Sequence, residues 1–282
     1  MNIKRVVVFV VILFVNALVF AEPRNMVGKV IIFDNAEKDL LVLNLDSKEK
    51  LNSVNVSEQL RNPALVISAN QDIVSLHEHF GESDYVVNLN TGLVSYKPGV
   101  VGTVVASEDK KFYFEMVSVG TRRLFFESGG NKESLTDMKI LKVPRGHVVG
   151  NEAVSWFIRS EHRLISFDFN GEQLLTIQVD CRDAIYLGKR NIFCLKESGE
   201  AVVVDMEGKE LKVLEGLGVK DSLLAYSYER NEIYFARKSL SFKLNSFMTE
   251  IIDLYSYDLV TDDLVLVKKH IANHGASLGI IL

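Results

Sequence analysis

Along most of this chain, apolar residues alternate with polar ones at a period of two. Almost no segment carries the three-to-four spacing of an amphipathic helix, and prolines number only four. The stretch from Leu254 to Val267 shows the unit clearly. An apolar-rich run ends at Leu259, the polar Thr261-Asp262-Asp263 follows, and Leu264-Val265-Leu266-Val267 resumes. Strand, tight turn, strand is the natural reading, and runs rich in Val, Ile, Leu, Phe and Tyr between Gly, Asn, Asp and Ser turns predict an all-β chain.

The unit recurs. Aligned on the residue before each turn, the copies fall at Leu45, Leu89, Glu127, Phe169, Met206 and Leu259, in steps of 44, 38, 42, 37 and 53. Steps near 40 are the period of a propeller blade, one four-stranded sheet per repeat. The long step has a local cause, extra residues from about Lys238 to Glu250. The spacing predicts a six-bladed β-propeller with blades at about Ala64–Pro98, Gly102–Met138, Lys142–Val179, Asp183–Gly216 and Asp221–Lys269. The remaining blade mixes the two ends: Ala276 to Leu282 supplies its inner strand, and Lys29–Phe33, Asp39–Leu45 and Leu51–Val56 supply the others. Such closure leaves no exposed sheet edge.

One repeat carries a resemblance. Ala106-Ser107-Glu108-Asp109-Lys110-Lys111-Phe112-Tyr113-Phe114 resembles the Ser-Pro-Asp-Gly-Lys-then-strand motif of the six-bladed TolB-like, WD40-like propellers, and Tyr226 to Phe235 is a fainter copy. Glu108 stands where that group has proline, and Lys110 where it has glycine. The resemblance implies the fold and brings no activity with it.

The first residues are read apart from the repeats. Basic Lys4 and Arg5, an apolar run from Val6 to Phe20, and the small residues Val19 and Ala21 make a secretory signal, with cleavage expected after Ala21. The mature chain, Glu22 to Leu282, is expected to be one domain. The signal holds two of the 32 basic residues and none of the 37 acidic ones, so the rest carries a net charge of −7. No basic block points to nucleic acid. No later apolar run is long enough to cross a membrane, so no stable span is expected after cleavage. An exported chain permits a disulfide between Cys181 and Cys194. It requires a bend at Asp180 to Asp183, because simple hairpin register sets Cys194 opposite Ile185.

No residue is singled out as catalytic, and no cofactor or metal is expected; His270 with His274, and His77 with His79, are too few for a metal site. Trp156 reads as core. One rim of a propeller gathers the loops that lead into the inner strands and those that join second strands to third. Binding candidates on that rim are Phe242, Phe247 and Met248 of the blade-six insertion, His270, His274, Arg182 and Asp183. Exposed apolar residues there suggest a contact, although the alternation Leu240, Phe242, Leu244 equally suits a longer hairpin. Arg122, Arg123, Arg159, His162 and Arg163 could join Arg182 and Asp183 around an anionic ligand. The leading expectation is an extracytoplasmic, periplasmic or secreted, non-catalytic binding or scaffold module that recognises a protein or cell-envelope component. The alternatives are a hydrolase or lyase with a site at the channel mouth, and a small-ligand sensor.

Overall fold

The computed structural model describes residues 28–34, 37–45, 47, 49–56, 60, 63–69, 72–78, 81–140, 142–241, 249–273 and 276–281. They form six four-stranded antiparallel sheets arranged as a ring. Blade one holds β1 (Lys29–Asp34), β2 (Asp39–Asn44) and β3 (Lys50–Asn55). Blade two holds β4 (Ala64–Ile67), β5 (Ile73–His77), β6 (Ser83–Asn88) and β7 (Val94–Pro98). Blade three holds β8 (Val101–Val105), β9 (Lys110–Ser118), β10 (Thr121–Ser128) and β11 (Asn131–Met138). Blade four holds β12 (Gly146–Val149), β13 (Ala153–Ile158), β14 (Arg163–Asp168) and β15 (Gln173–Gln178), with one 3-10 turn at Arg159–Glu161. Blade five holds β16 (Asp183–Gly188), β17 (Asn191–Leu195), β18 (Ala201–Asp205) and β19 (Glu210–Leu214). Blade six holds β20 (Asp221–Ser227), β21 (Glu232–Ser241), β22 (Thr249–Asp258) and β23 (Leu264–Asn273).

The ring closes as the repeat requires. The strand β24 (Ser277–Ile281) lies against β1 as the inner strand of blade one, with Val30 opposite Ile280 and Ile32 opposite Leu278. Gly279 makes that fit possible, because a Cβ there would stand 2.5 Å from Leu65 Cδ2 and 2.8 Å from Ile67 Cδ1 of the next inner strand.

The repeat has a physical cause in its turns. Asn88, Asp168, Asp205 and Asp258 each end a third strand, and each accepts two backbone N–H groups of the following turn on one side-chain oxygen. Such Asx turns stop the strand and start the return. Inner and second strands are buried on both faces, as all six residues of β13 show, whereas the outer β3 and β15 are mostly exposed. The core is therefore a ring of apolar contacts between successive blades. At the junction of blades three and four, fully buried Trp156 meets Phe112 at 5.6 Å and Phe114 edge-on at 6.0 Å. Asp84 of blade two clips blade three polar to polar, accepting the buried N–H groups of Gly102 at 2.9 Å and Thr103 at 2.7 Å.

Two local expectations change, and the hairpin reading of the blade-six insertion holds at its described ends. The stretch around His270 is strand, not loop. β23 carries two extra residues where Asp253 of β22 faces it, and His270 takes a left-handed conformation there, its N–H donated to Asp253 Oδ1 at 2.7 Å. The blade-six insertion begins and ends as an extended hairpin, with Leu240 opposite Glu250 and Ser241 opposite Thr249. Cys194 pairs with Ala184 rather than Ile185, and the chain bends before β16 so that Cys181 and Cys194 are joined in a disulfide with Cα atoms 5.5 Å apart.

Candidate functional site

The face at which the inner strands begin, here the upper face, opens into a cavity of about 1140 Å³ at the channel mouth. A smaller cavity of about 510 Å³ opens on the opposite face. Arg145, His147 and Leu224 line both, so they mark the waist of the channel.

Local sequence places Arg145 there. Pro144 fixes its own φ and holds Val143 extended. Gly146 then lets β12 approach its neighbours, because a Cβ would stand 2.7 Å from Val104 Cγ2 and 2.8 Å from Trp156 Nε1. Arg145, between them, is directed into the channel. The residue is half-buried and open to the channel, and its one hydrogen bond among the described residues is long, Nη1 to the Leu223 carbonyl at 3.5 Å. Burial draws its pKa down and the Asp183 charge draws it up. The guanidinium nonetheless stays charged, because its reference value is so high.

Asp183, the first residue of β16, stands in the same field. Burial pushes its carboxyl up to about 6, against the charges of Arg145, Arg182 and Arg159 and the N–H of Ala184. His147 is held down at about 3 by burial and by Arg145, so its imidazole is neutral at ordinary pH. Lys142 is drawn down by burial and by the Arg159 and Arg145 charges. Asp221 is already paired, accepting Arg237 Nε at 2.6 Å and Nη2 at 2.8 Å. Arg182 donates to the carbonyls of Val219 at 2.7 Å and Asp221 at 2.6 Å, tying blade five to blade six. The mouth is thus a cationic funnel with apolar walls that include Val143, Phe157, Leu223, Leu224 and Leu278.

Of the residues expected on an anionic site, Arg159, Arg182 and Asp183 come together here. The others are used elsewhere: Arg122 donates to the Gly81 carbonyl, Arg123 pairs with Asp137, His162 lies 3.7 Å from Asp180, and Arg163 lies 2.7 Å from Glu161. His270 is exposed on β23 and does not line the mouth. Phe242, Phe247, Met248 and His274 lie outside the described residues. Lys142, Arg145 and His147 went unmarked as side chains, although a Pro and a Gly flanking Arg145 just ahead of an apolar strand were a usable signal.

An exposed apolar tip stands beside the mouth at a place sequence reasoning also missed. The β9–β10 hairpin ends in Met116, Val117 and Val119, the last 93% exposed, and the next residue, Gly120, lines the cavity.

One run has hydrolase spacing, Gly275-Ala276-Ser277-Leu278-Gly279. Ser277 begins a channel-lining strand rather than sitting between a strand and a helix, as a nucleophile elbow requires. Its hydroxyl donates to the Pro63 carbonyl, and His147, held down at about 3 by burial, binds a proton too weakly to act as its base. Among the described residues no group of three or more His, Cys, Asp or Glu could hold a metal ion, and no helix is long and apolar enough to cross a membrane.

No protein-family model matches this chain, and no curated protein does. Among solved structures, a chain of a nidogen/laminin complex aligns over 90% of this chain and 98% of its own, at 13% identity and a TM-score of 0.52. A protein of unknown function from Bacteroides caccae gives the same coverages at 9% identity and a TM-score of 0.52. A putative TolB from Agrobacterium tumefaciens aligns over 90% of this chain and 97% of its own, at 12% identity and a TM-score of 0.48. Similarity at this identity is one of fold.

Proposed function

We propose that the chain is an exported, non-catalytic binding propeller whose upper face meets a protein or cell-envelope partner. The observation that carries this reading is the apolar tip Met116, Val117 and Val119 standing at the rim of the wide mouth. Exposed apolar side chains on a rigid hairpin beside a concave, charged opening have the composition of an interface centre with a polar surround. In this reading blade three supplies a contact besides the one expected at the blade-six insertion, whose Phe242, Phe247 and Met248 lie outside the described residues. Export is supported by the N-terminal signal pattern, with cleavage near Ala21, and by the Cys181–Cys194 disulfide, which suits an oxidising compartment. Glu22 to Leu282 acts in this reading as one domain.

Photo-crosslinking tests the contact. A benzophenone amino acid replaces Val119 on the upper face or, in a second variant, Glu229 on the opposite face, in the natural host's cell envelope. The expected result is one discrete adduct, identifiable by mass spectrometry, from position 119 and none from position 229. Adducts from both positions, or from neither, would overturn the reading.

One observation favours a second reading, a hydrolase or lyase. An acid that titrates near neutrality inside a cleft is what general acid–base chemistry uses, and Asp183 is such a group. In that case Asp183→Asn abolishes turnover, whereas in the binding reading it leaves crosslinking at position 119 intact.

A further inference from the structure

We propose that the channel waist binds a small organic monoanion, its acid group held by Arg145 and its apolar body lying against Val143, Phe157, Leu224 and Leu278. The site lies inside the channel and stands whether or not a partner meets the rim.

Charge distribution is the first ground. The chain as a whole is acidic, at −5, yet its upper cavity is lined by six basic residues and two acidic ones. Asp221, one of the two, is already neutralised by Arg237. A concentration of opposite charge in a cleft with low-dielectric walls focuses the field on whatever enters.

The second ground is Arg145 itself. A guanidinium offers five N–H donors in a planar fork. Arg145 uses one, at 3.5 Å, and among the described residues no carboxylate oxygen lies within ion-pair distance of it. Its remaining donors are open to the channel it lines, and an acid group on a ligand supplies two acceptors in the geometry the fork matches. Of the neighbours, Lys142 adds positive field, Arg159 is already paired with Glu197, and His147 adds none because it is neutral.

The walls and the one acid define the ligand class. The walls named above are aliphatic and aromatic, so a bare inorganic ion would leave them unused. Asp183, when ionised, stands in the same field as Arg145, and a second negative charge on the ligand would face it. A single charge on an apolar body fits both.

Isothermal titration calorimetry on the whole mature chain tests this, using naphthalene-2-sulfonate, its neutral isostere naphthalene-2-sulfonamide, and inorganic sulfate. The sulfonate is expected to bind about tenfold or more tighter than the sulfonamide, the size of one charge-assisted hydrogen bond. Arg145→Gln removes that preference. Sulfonate affinity rises as pH falls from about 7.5 to about 5.5, because protonation of Asp183 removes the one unpaired negative charge among Arg145, Arg159, Arg182 and Lys142. Asp183→Asn flattens the pH dependence at the tighter level. Equal binding of sulfonate and sulfonamide to the unaltered chain, or displacement of the sulfonate by an equal concentration of inorganic sulfate, overturns the proposal without any variant having to fold.

Discussion

Asp183 keeps its proton up to about pH 6, whereas an unstructured aspartate loses it at 3.8. The folded chain therefore holds that proton more tightly than the unfolded one. The stabilisation is full below pH 3.8 and is lost as pH rises through about 6. Asp183→Asn keeps an acceptor for the Ala184 N–H and removes the ionised form. The variant is expected to be more stable than the parent at pH 7.5, by up to about 3 kcal/mol for a shift of two units, with the difference vanishing near pH 4. Urea unfolding at the two pH values checks it. The same residue shows what could be read from sequence at this scale. Arg182 and Asp183 were legible because they fall on a turn that leads into an inner strand. The loop that carries Arg145 was legible in the same way, but its side chain did not stand out, because Lys142-Val-Pro-Arg-Gly also has the composition of a solvated loop. The channel around that side chain comes from the other inner strands that converge there, and those are distant in sequence.

Blades were legible because five of the six are built wholly from local pairings, and turn residues such as Asn88, Asp168, Asp205 and Asp258 mark their period. Departures from plain pairing were not. The two extra residues that swing His270 outward are fixed by Asp253 on the neighbouring strand, and no periodicity in residues 264–273 announces them. Links between blades were equally hidden, and Asp84 is the plainest. It was not noticed in sequence, yet it is fully buried and holds two N–H groups of blade three. Asp84→Ala strands both donors away from water. A loss of about 2–6 kcal/mol is expected, at about 1–3 kcal/mol for each of the two buried unpaired groups. Chemical denaturation measures it, and a change below about 1 kcal/mol would mean that blades two and three hold together by apolar contact alone.

Over the whole molecule, apolar packing between neighbouring blades makes a core that is a ring rather than a ball, and six sheets must agree on their tilt for that ring to meet. Gly279 lies where they meet. Gly279→Val pushes a branched side chain into Leu65 and Ile67, and overpacking of this kind typically costs about 1–3 kcal/mol. Because the strain falls between β24 and β4, it also loosens the cover on β1. The variant is expected to melt earlier than the parent and to scatter light as it does so, which a thermal ramp with parallel light scattering records. If the two proteins melt together and stay clear, the seam is not where the ring is weakest.

β24 completes a blade that β1, β2 and β3 begin, and five other blades lie between them along the chain. A ribosome therefore makes three strands of blade one before the other five blades and their partner after them. Until then the inner edge of β1 is open. A chain that cannot lock its first blade until its last strand exists is slow to become rigid. Slow locking fits the export proposed above, in which the chain would cross a membrane extended before it folds. It also makes those early strands natural clients for holding factors during the wait.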